Sequence, residues 1–173
     1  MNIFMLDKDP KTCAKYHSDK HVVKMILELT QLLICAQYFN HDDAPPYNGC
    51  YKKTHVNHPM SKWVRESYNN FIYTYKIAMY LCKEFKYRRN KNHACIYHLR
   101  KIRKLKPFEG FEINWEDKVR LKIPDCEYEI TDVPLCMPDE FIGEDAIESY
   151  RNYYKSKVEI NKWEWKRKKP EWY

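Results

Sequence analysis

Glycine is nearly absent: three residues in 173. That excludes Gly-rich phosphate loops and the glycine-punctuated turns of small β-proteins. No run of about 18 uncharged apolar residues occurs, which argues against a membrane span. The opening segment "MNIFMLDKDPK" lacks the basic start and small-residue cleavage site of a signal peptide, so an intracellular, cytoplasmic protein is expected. No CxxC pair is present. The seven cysteines, at positions 13, 35, 50, 82, 95, 126 and 136, therefore read as reduced, partly buried thiols.

What the chain does have is charge, aromatic residues and helical periodicity. Its net charge is +7, unevenly spread. Lys83 to Lys106 holds ten Lys/Arg against one Glu, and Pro107 to Glu148 holds thirteen acids against three basic residues. Ser149 to Lys169 is basic again. Basic blocks interleaved with aromatics point to a polyanion, most simply nucleic acid. Usage rich in Lys, Tyr, Asn and Ile is that of an AT-rich coding source, such as many large DNA viruses and phages.

The length suits one domain spanning residues 1–173. Val22, Met25, Ile26, Leu29, Leu32, Leu33 and Ala36 recur at three- and four-residue spacing, which predicts one long helix from Thr12 to Phe39. A loop follows in "NHDDAPPYNGC". Pro59 suits the first turn of a second helix, whose core stripe is Val64, Tyr68, Phe71, Tyr75, Met79 and Cys82. A basic third helix is expected over 92–105 and a last one over 144–157. "VRLKIPDCEYEITDVP" allows a short strand pair or an acidic loop. The expected fold is mainly α: a helical bundle with an irregular acidic insertion.

The stretch "YHSDKHVVKMILE" carries the chemistry. On a continuous helix, at about 100° per residue, His17, His21, Lys24, Glu28 and Cys35 fall within about 60° of one another, with Gln31 at the edge. This strip borders the apolar face, where a titratable group can be half buried and its pKa moved. Three readings fit it. One is helix-supporting ion pairing such as Lys24–Glu28. The second is a metal site using His17 and His21 with His55 or His58, as in a metal-dependent phosphohydrolase or nuclease. The third is a metal-free acid/base or phosphate-binding site with Glu28 as the carboxylate.

A second cluster, "THVNHPMSKWVRES", puts Thr54, His55, Asn57, His58, Trp63 and Arg65 around a helix start, where free N–H groups favour anions. Trp63 suits stacking on a base. Local capping and a core tryptophan are the plainer alternative. A non-catalytic nucleic-acid-binding or host-interaction protein is a further reading of the whole chain.

Four segments, "YHSDKHVVKMILE", "THVNHP", "MPDEFIGED" and "YRNYYKSKVEINKWEWKRKKPEWY", resemble the pyrimidine-dimer DNA glycosylase family of phages and large viruses, the endonuclease V type. The resemblance implies a small helical enzyme that binds duplex DNA carrying damaged pyrimidines, cuts the glycosidic bond, and cleaves the backbone in a lyase step. It implies an N-terminal amine as nucleophile at the sugar C1′, which here is that of Met1, with Lys24 as an alternative amine. It matches Glu28 to the assisting carboxylate and His17, His21 and Lys24 to the phosphate holders. His55, Asn57, His58, Trp63, Arg65, Lys20, Arg151, Tyr154 and Trp172 would contact DNA. A monomer is expected, with no cofactor, no metal and no membrane partner.

Overall fold

The computed structural model describes residues 1–105 and 129–173. Over these residues the chain is helical: α1 (Pro10–Tyr16), α2 (Asp19–Phe39), α3 (Pro59–Glu66), α4 (Tyr68–Arg89), α5 (Ile96–Ile102) and α6 (Ala146–Asn161), with a 3-10 turn at Asp139–Phe141. The described part of the expected strand pair, residues 129–134, forms no strand; the rest of it lies outside the described residues.

The single helix expected over 12–39 is two. His17 and Ser18 adopt extended backbone, and the Ser18 side chain accepts the His21 N–H, capping α2. The second expected helix is likewise split. Ser67 is extended (φ −144°), ends α3, and accepts the Asn70 N–H to start α4. Neither break uses proline or glycine. A serine hydroxyl replaces one missing intrahelical acceptor, so a chain can stop and restart a helix at that point. α5 is shorter than expected, and α6 ends at Asn161, past the expected 157.

α1, α3 and α5 have seven or eight residues each. Helices below about 12 residues are marginal alone, so packing holds them. α2 and α4 are the long central pair; α1 and α3 pack on α4, and α5 on both. The predicted α2 stripe, Val22 to Ala36, is buried at every position. α2 is by length and composition able to cross a membrane, but 67% of its most apolar window is buried inside this protein. Its apolarity is consumed by the core.

Two segments without helix complete the core. Ile3, Phe4, Met5 and Leu6 are buried, with Phe4 in ring contact with His21, Tyr153 and Tyr154. The C-terminal tail lies over the α1–α2 junction. Asp19 N–H donates to the Glu164 carbonyl (2.8 Å), Trp165 Nε1 donates to the Tyr16 carbonyl (2.8 Å), and Trp163 stacks on His21 at 4.6 Å.

Candidate active site

Glu28 lies on α2 at the edge of the core, its side chain 15% exposed. One carboxylate oxygen accepts the Asn2 backbone N–H at 3.1 Å; the other pairs with Lys24 Nζ at 3.4 Å. Lys24, one turn earlier on α2, is mostly solvent-exposed. The carboxylate thus bridges the start of the chain and a mobile-stemmed lysine, with both oxygens engaged.

Asn2 is held from every side. Its Nδ2 donates to the Cys136 carbonyl (2.9 Å), and its Oδ1 accepts from the Tyr150 hydroxyl (3.0 Å) and the Ile3 N–H (2.9 Å). Tyr150 is itself fully buried, and its hydroxyl accepts the Cys136 N–H (3.3 Å). These bonds tether Met1 beside α2. The charge of the Met1 amine acts on both His58 and Cys136. The imidazole of His58 is held below its ordinary value, first by partial burial and then by the Met1 amine and His55, with Glu28 opposing. The Cys136 thiol is raised by burial, against the pull of the Met60 N–H and the Met1 charge.

The site therefore comprises the Met1 amine, Glu28, Lys24 and His58, with Asn2, Tyr150 and Cys136 around the amine. Sequence reasoning missed the last three. Tyr150 looked like core, Cys136 like one thiol of seven, and Asn2 carried no pattern. Chain reversal across more than 130 positions brings them together, which local periodicity does not encode.

The histidines of the opening strip are not in this site. His17 does not lie on α2 at all; the break at Ser18 turns it inward, where it is fully buried. Its Nδ1 lies 2.8 Å from the Cys13 carbonyl, which can only accept, so Nδ1 carries the proton. Its Nε2 is buried without a partner. His21 shares the α2 face of Glu28 but sits two turns away under the tail, stacked on Trp163, with Nδ1 3.1 Å from the Tyr154 hydroxyl. Burial lowers His17 to about 4 and His21 well below its usual value, so both are neutral near pH 7. Neither is placed to hold a phosphate. They also cannot join His55 or His58 on a cation; among the described residues no three His, Cys, Asp or Glu side chains stand close enough to share a metal ion.

The second cluster divides. His58 caps α3, its Nδ1 accepting the Met60 N–H at 3.2 Å. His55 and Asn57 are exposed, and His55 takes a left-handed backbone (φ 50°) with its ring 2.7 Å from the Thr54 hydroxyl. Arg65 is a strut: it donates to the Val56 carbonyl at 2.8 Å and lies 4.2 Å from the Phe39 ring. Trp63 is 2% exposed, and its indole donates to the Thr131 carbonyl. It is a core residue and offers no face to a base.

Of the DNA contacts expected at the C-terminal end, Tyr154 is corrected in the same way, while Arg151 and Trp172 stay partly at the surface. Tyr154 is fully buried, its hydroxyl accepting the Ser18 N–H at 2.8 Å. Arg151 donates to the Leu6 carbonyl and pairs with Asp7. Trp172 lies edge-on to Tyr16 and beneath Arg151. These side chains build the fold; of the α2 basic residues, Lys20 and Lys24 remain on the surface.

No family model, curated protein or solved structure matches the chain.

Proposed function

We propose that the protein is a DNA glycosylase with an amine-dependent lyase step, acting on damaged or modified pyrimidines in duplex DNA. The observation that carries this reading is the 3.1 Å bond from Asn2 N–H to Glu28, which fixes the residue that follows the Met1 amine on a half-buried carboxylate. An amine next to a carboxylate is what imine chemistry at a sugar C1′ requires. The neutral amine attacks C1′ and forms the C–N bond. The glycosidic bond breaks, and the base leaves with its electron pair and takes up a proton. Ring opening then gives the imine, and loss of a C2′ proton expels the 3′-phosphate. Glu28 stabilises positive charge building at C1′ and accepts protons as they are released. His58, neutral at pH 7, is a hydrogen-bond partner for the sugar or its phosphate. A base must leave the stack to be cut, at a cost of a few kcal/mol that a damaged pair lowers.

The test uses a duplex carrying one ultraviolet photoproduct. Glu28→Gln is expected to bind the duplex like wild type and to form no abasic site. Borohydride is expected to trap a covalent wild-type adduct, with the modified peptide at Met1. A wild-type protein that yields neither abasic site nor adduct on photoproduct or modified-pyrimidine duplexes overturns the reading. Trapping on the Lys24 peptide would move the nucleophile, and abasic sites without adduct would mean that water attacks.

A further inference from the structure

Two basic blocks that are far apart in sequence meet at one end of the molecule. The first is "KEFKYRRNK", Lys83 to Lys91, at the C-terminal end of α4. The second is "KWEWKRKK", Lys162 to Lys169, in the tail. Together they hold ten Lys/Arg and two Glu. Their junction is fixed by specific bonds. Lys166 N–H donates to Asp19 Oδ2 (3.0 Å), and Lys166 Nζ donates to the Arg88 carbonyl (3.3 Å). Arg167 pairs with Glu84 and lies 4.1 Å from the Tyr87 ring.

Glu84 and Asp19, the acids at the junction, are already engaged, while Glu164 stands exposed among the tail cations. Arg88, with its side chain 2% exposed, pairs with Glu84 and Asp19 and donates to the His17 and Lys15 carbonyls. Glu84 also takes Arg167. Two arginines and two carboxylates therefore balance in a small buried network. Around it Lys86, Arg89, Lys91, Lys166, Lys168 and Lys169 are all exposed, with one surface pair, Lys168–Glu171. The aromatic rings here each carry a contact from within the protein, Tyr87 with Arg167, and Trp165 and Tyr173 with each other and with Lys169, while Tyr87 stays 60% exposed.

We propose that this joined surface binds the phosphate backbone of duplex DNA independently of sequence and of damage. It takes its ligand from the functional reading above and is separate from the Glu28 site. The cations supply attraction to phosphate, which carries no sequence information, so binding through them does not distinguish one base from another. The surface holds the protein on undamaged DNA, while recognition of the altered base is left to the Met1–Glu28 region.

Binding of the full chain to an undamaged duplex of about 25 base pairs, followed by anisotropy between 50 and 300 mM NaCl, tests this. Each phosphate contact contributes about 0.9 to the slope of log K against log salt. Lys86→Gln/Arg89→Gln/Lys91→Gln is expected to lower the slope by about 2 to 3 and Lys168→Gln/Lys169→Gln by about 2, equally on damaged and undamaged duplexes. Lys8→Gln serves as the control. Lys8 follows Asp7, whose carbonyl accepts from Tyr73, about 22 Å along α4 from Arg88 at 1.5 Å per residue. The control slope is expected to stay at the wild-type value. As a readout that needs no variant, duplex DNA should protect Lys86, Lys91, Lys168 and Lys169 of the wild type from acetylation. Unchanged slopes in both block variants, or no protection, overturn the surface. Wild-type binding without base excision rejects the enzyme and leaves the surface standing. A wild type that ignores duplex DNA but binds RNA or anionic vesicles rejects both.

Discussion

Asn2 and Tyr150 share a hydrogen bond of 3.0 Å between a side-chain amide oxygen and a buried phenol. The one hydroxyl proton is shared with the Pro134 carbonyl (2.6 Å), and the oxygen accepts the Cys136 N–H (3.3 Å). One phenol therefore fixes both the residue next to the candidate nucleophile and the irregular segment around Pro134–Cys136. Tyr150→Phe keeps the ring and removes the hydroxyl, leaving Asn2 Oδ1 and the Cys136 N–H each short of a partner. The expected loss is about 1–3 kcal/mol of stability, measured by urea unfolding. Borohydride trapping should slow at least tenfold while duplex affinity is kept. Trapping at the wild-type rate would show that the amine needs no such anchor.

The Glu84 network should be costly to break. Glu84→Gln removes the charge shared by Arg88 and Arg167 and leaves Arg88 buried against a neutral amide. Breaking a buried pair of this kind costs about 3–5 kcal/mol. Limited trypsin digestion should also cut sooner after Lys166 and Arg167, because the tail loses its anchor. A melting temperature within a degree or two of wild type would contradict this account.

Stability should fall on mild acidification, in a window set by His17. Its folded-state value is depressed to about 4, against 6.5 for the free side chain. The unfolded chain therefore binds a proton that the folded chain refuses. The associated stability, about 3 kcal/mol, is complete above pH 6.5, declines as pH falls, and is lost by about pH 4. His21 acts in the same direction. Urea midpoints at pH 7.5 and 5.5 should differ in wild type and differ less in His17→Gln. Equal midpoints at the two values would exclude the buried, neutral imidazole.

Trp63 separates core from interface. Trp63→Ala should cost about 3–5 kcal/mol, as large core truncations do. Trp63→Phe should keep duplex affinity within twofold, since the indole presents nothing to DNA. A variant of native stability with tenfold weaker binding would restore the stacking role.

Ser67→Ala should destabilise the α3–α4 junction by about 1 kcal/mol, the usual value for a lost N-cap. A shift of a few degrees in calorimetric melting would register it, and an unchanged melt would mean the break is held by packing alone.

The helical fold and the core faces of α2 and α4 were legible because apolar spacing reports burial directly. Ser18 and Ser67 were not, since each sits inside an unbroken apolar rhythm and acts through a single hydroxyl. The candidate site was legible in part. Glu28 and Lys24 share a helix face, as the spacing predicts, and His58 stands at a helix start. The spacing puts His17 and His21 at the border of the apolar face and does not say what else covers them; the break at Ser18 buries His17, and the tail covers His21 through Trp163. Asn2, Cys136 and Tyr150 lay beyond reach, being joined only by tertiary contacts.

The bond from Tyr150 to Asn2 spans 148 positions of the chain. During synthesis the N-terminal segment emerges first and waits while α2 and α4 assemble. Until α6 has left the ribosome Tyr150 cannot hold Asn2, and a nascent chain has only the bond to Glu28 to keep Asn2 beside α2. The candidate site is completed late, in one contact between Asn2 and α6.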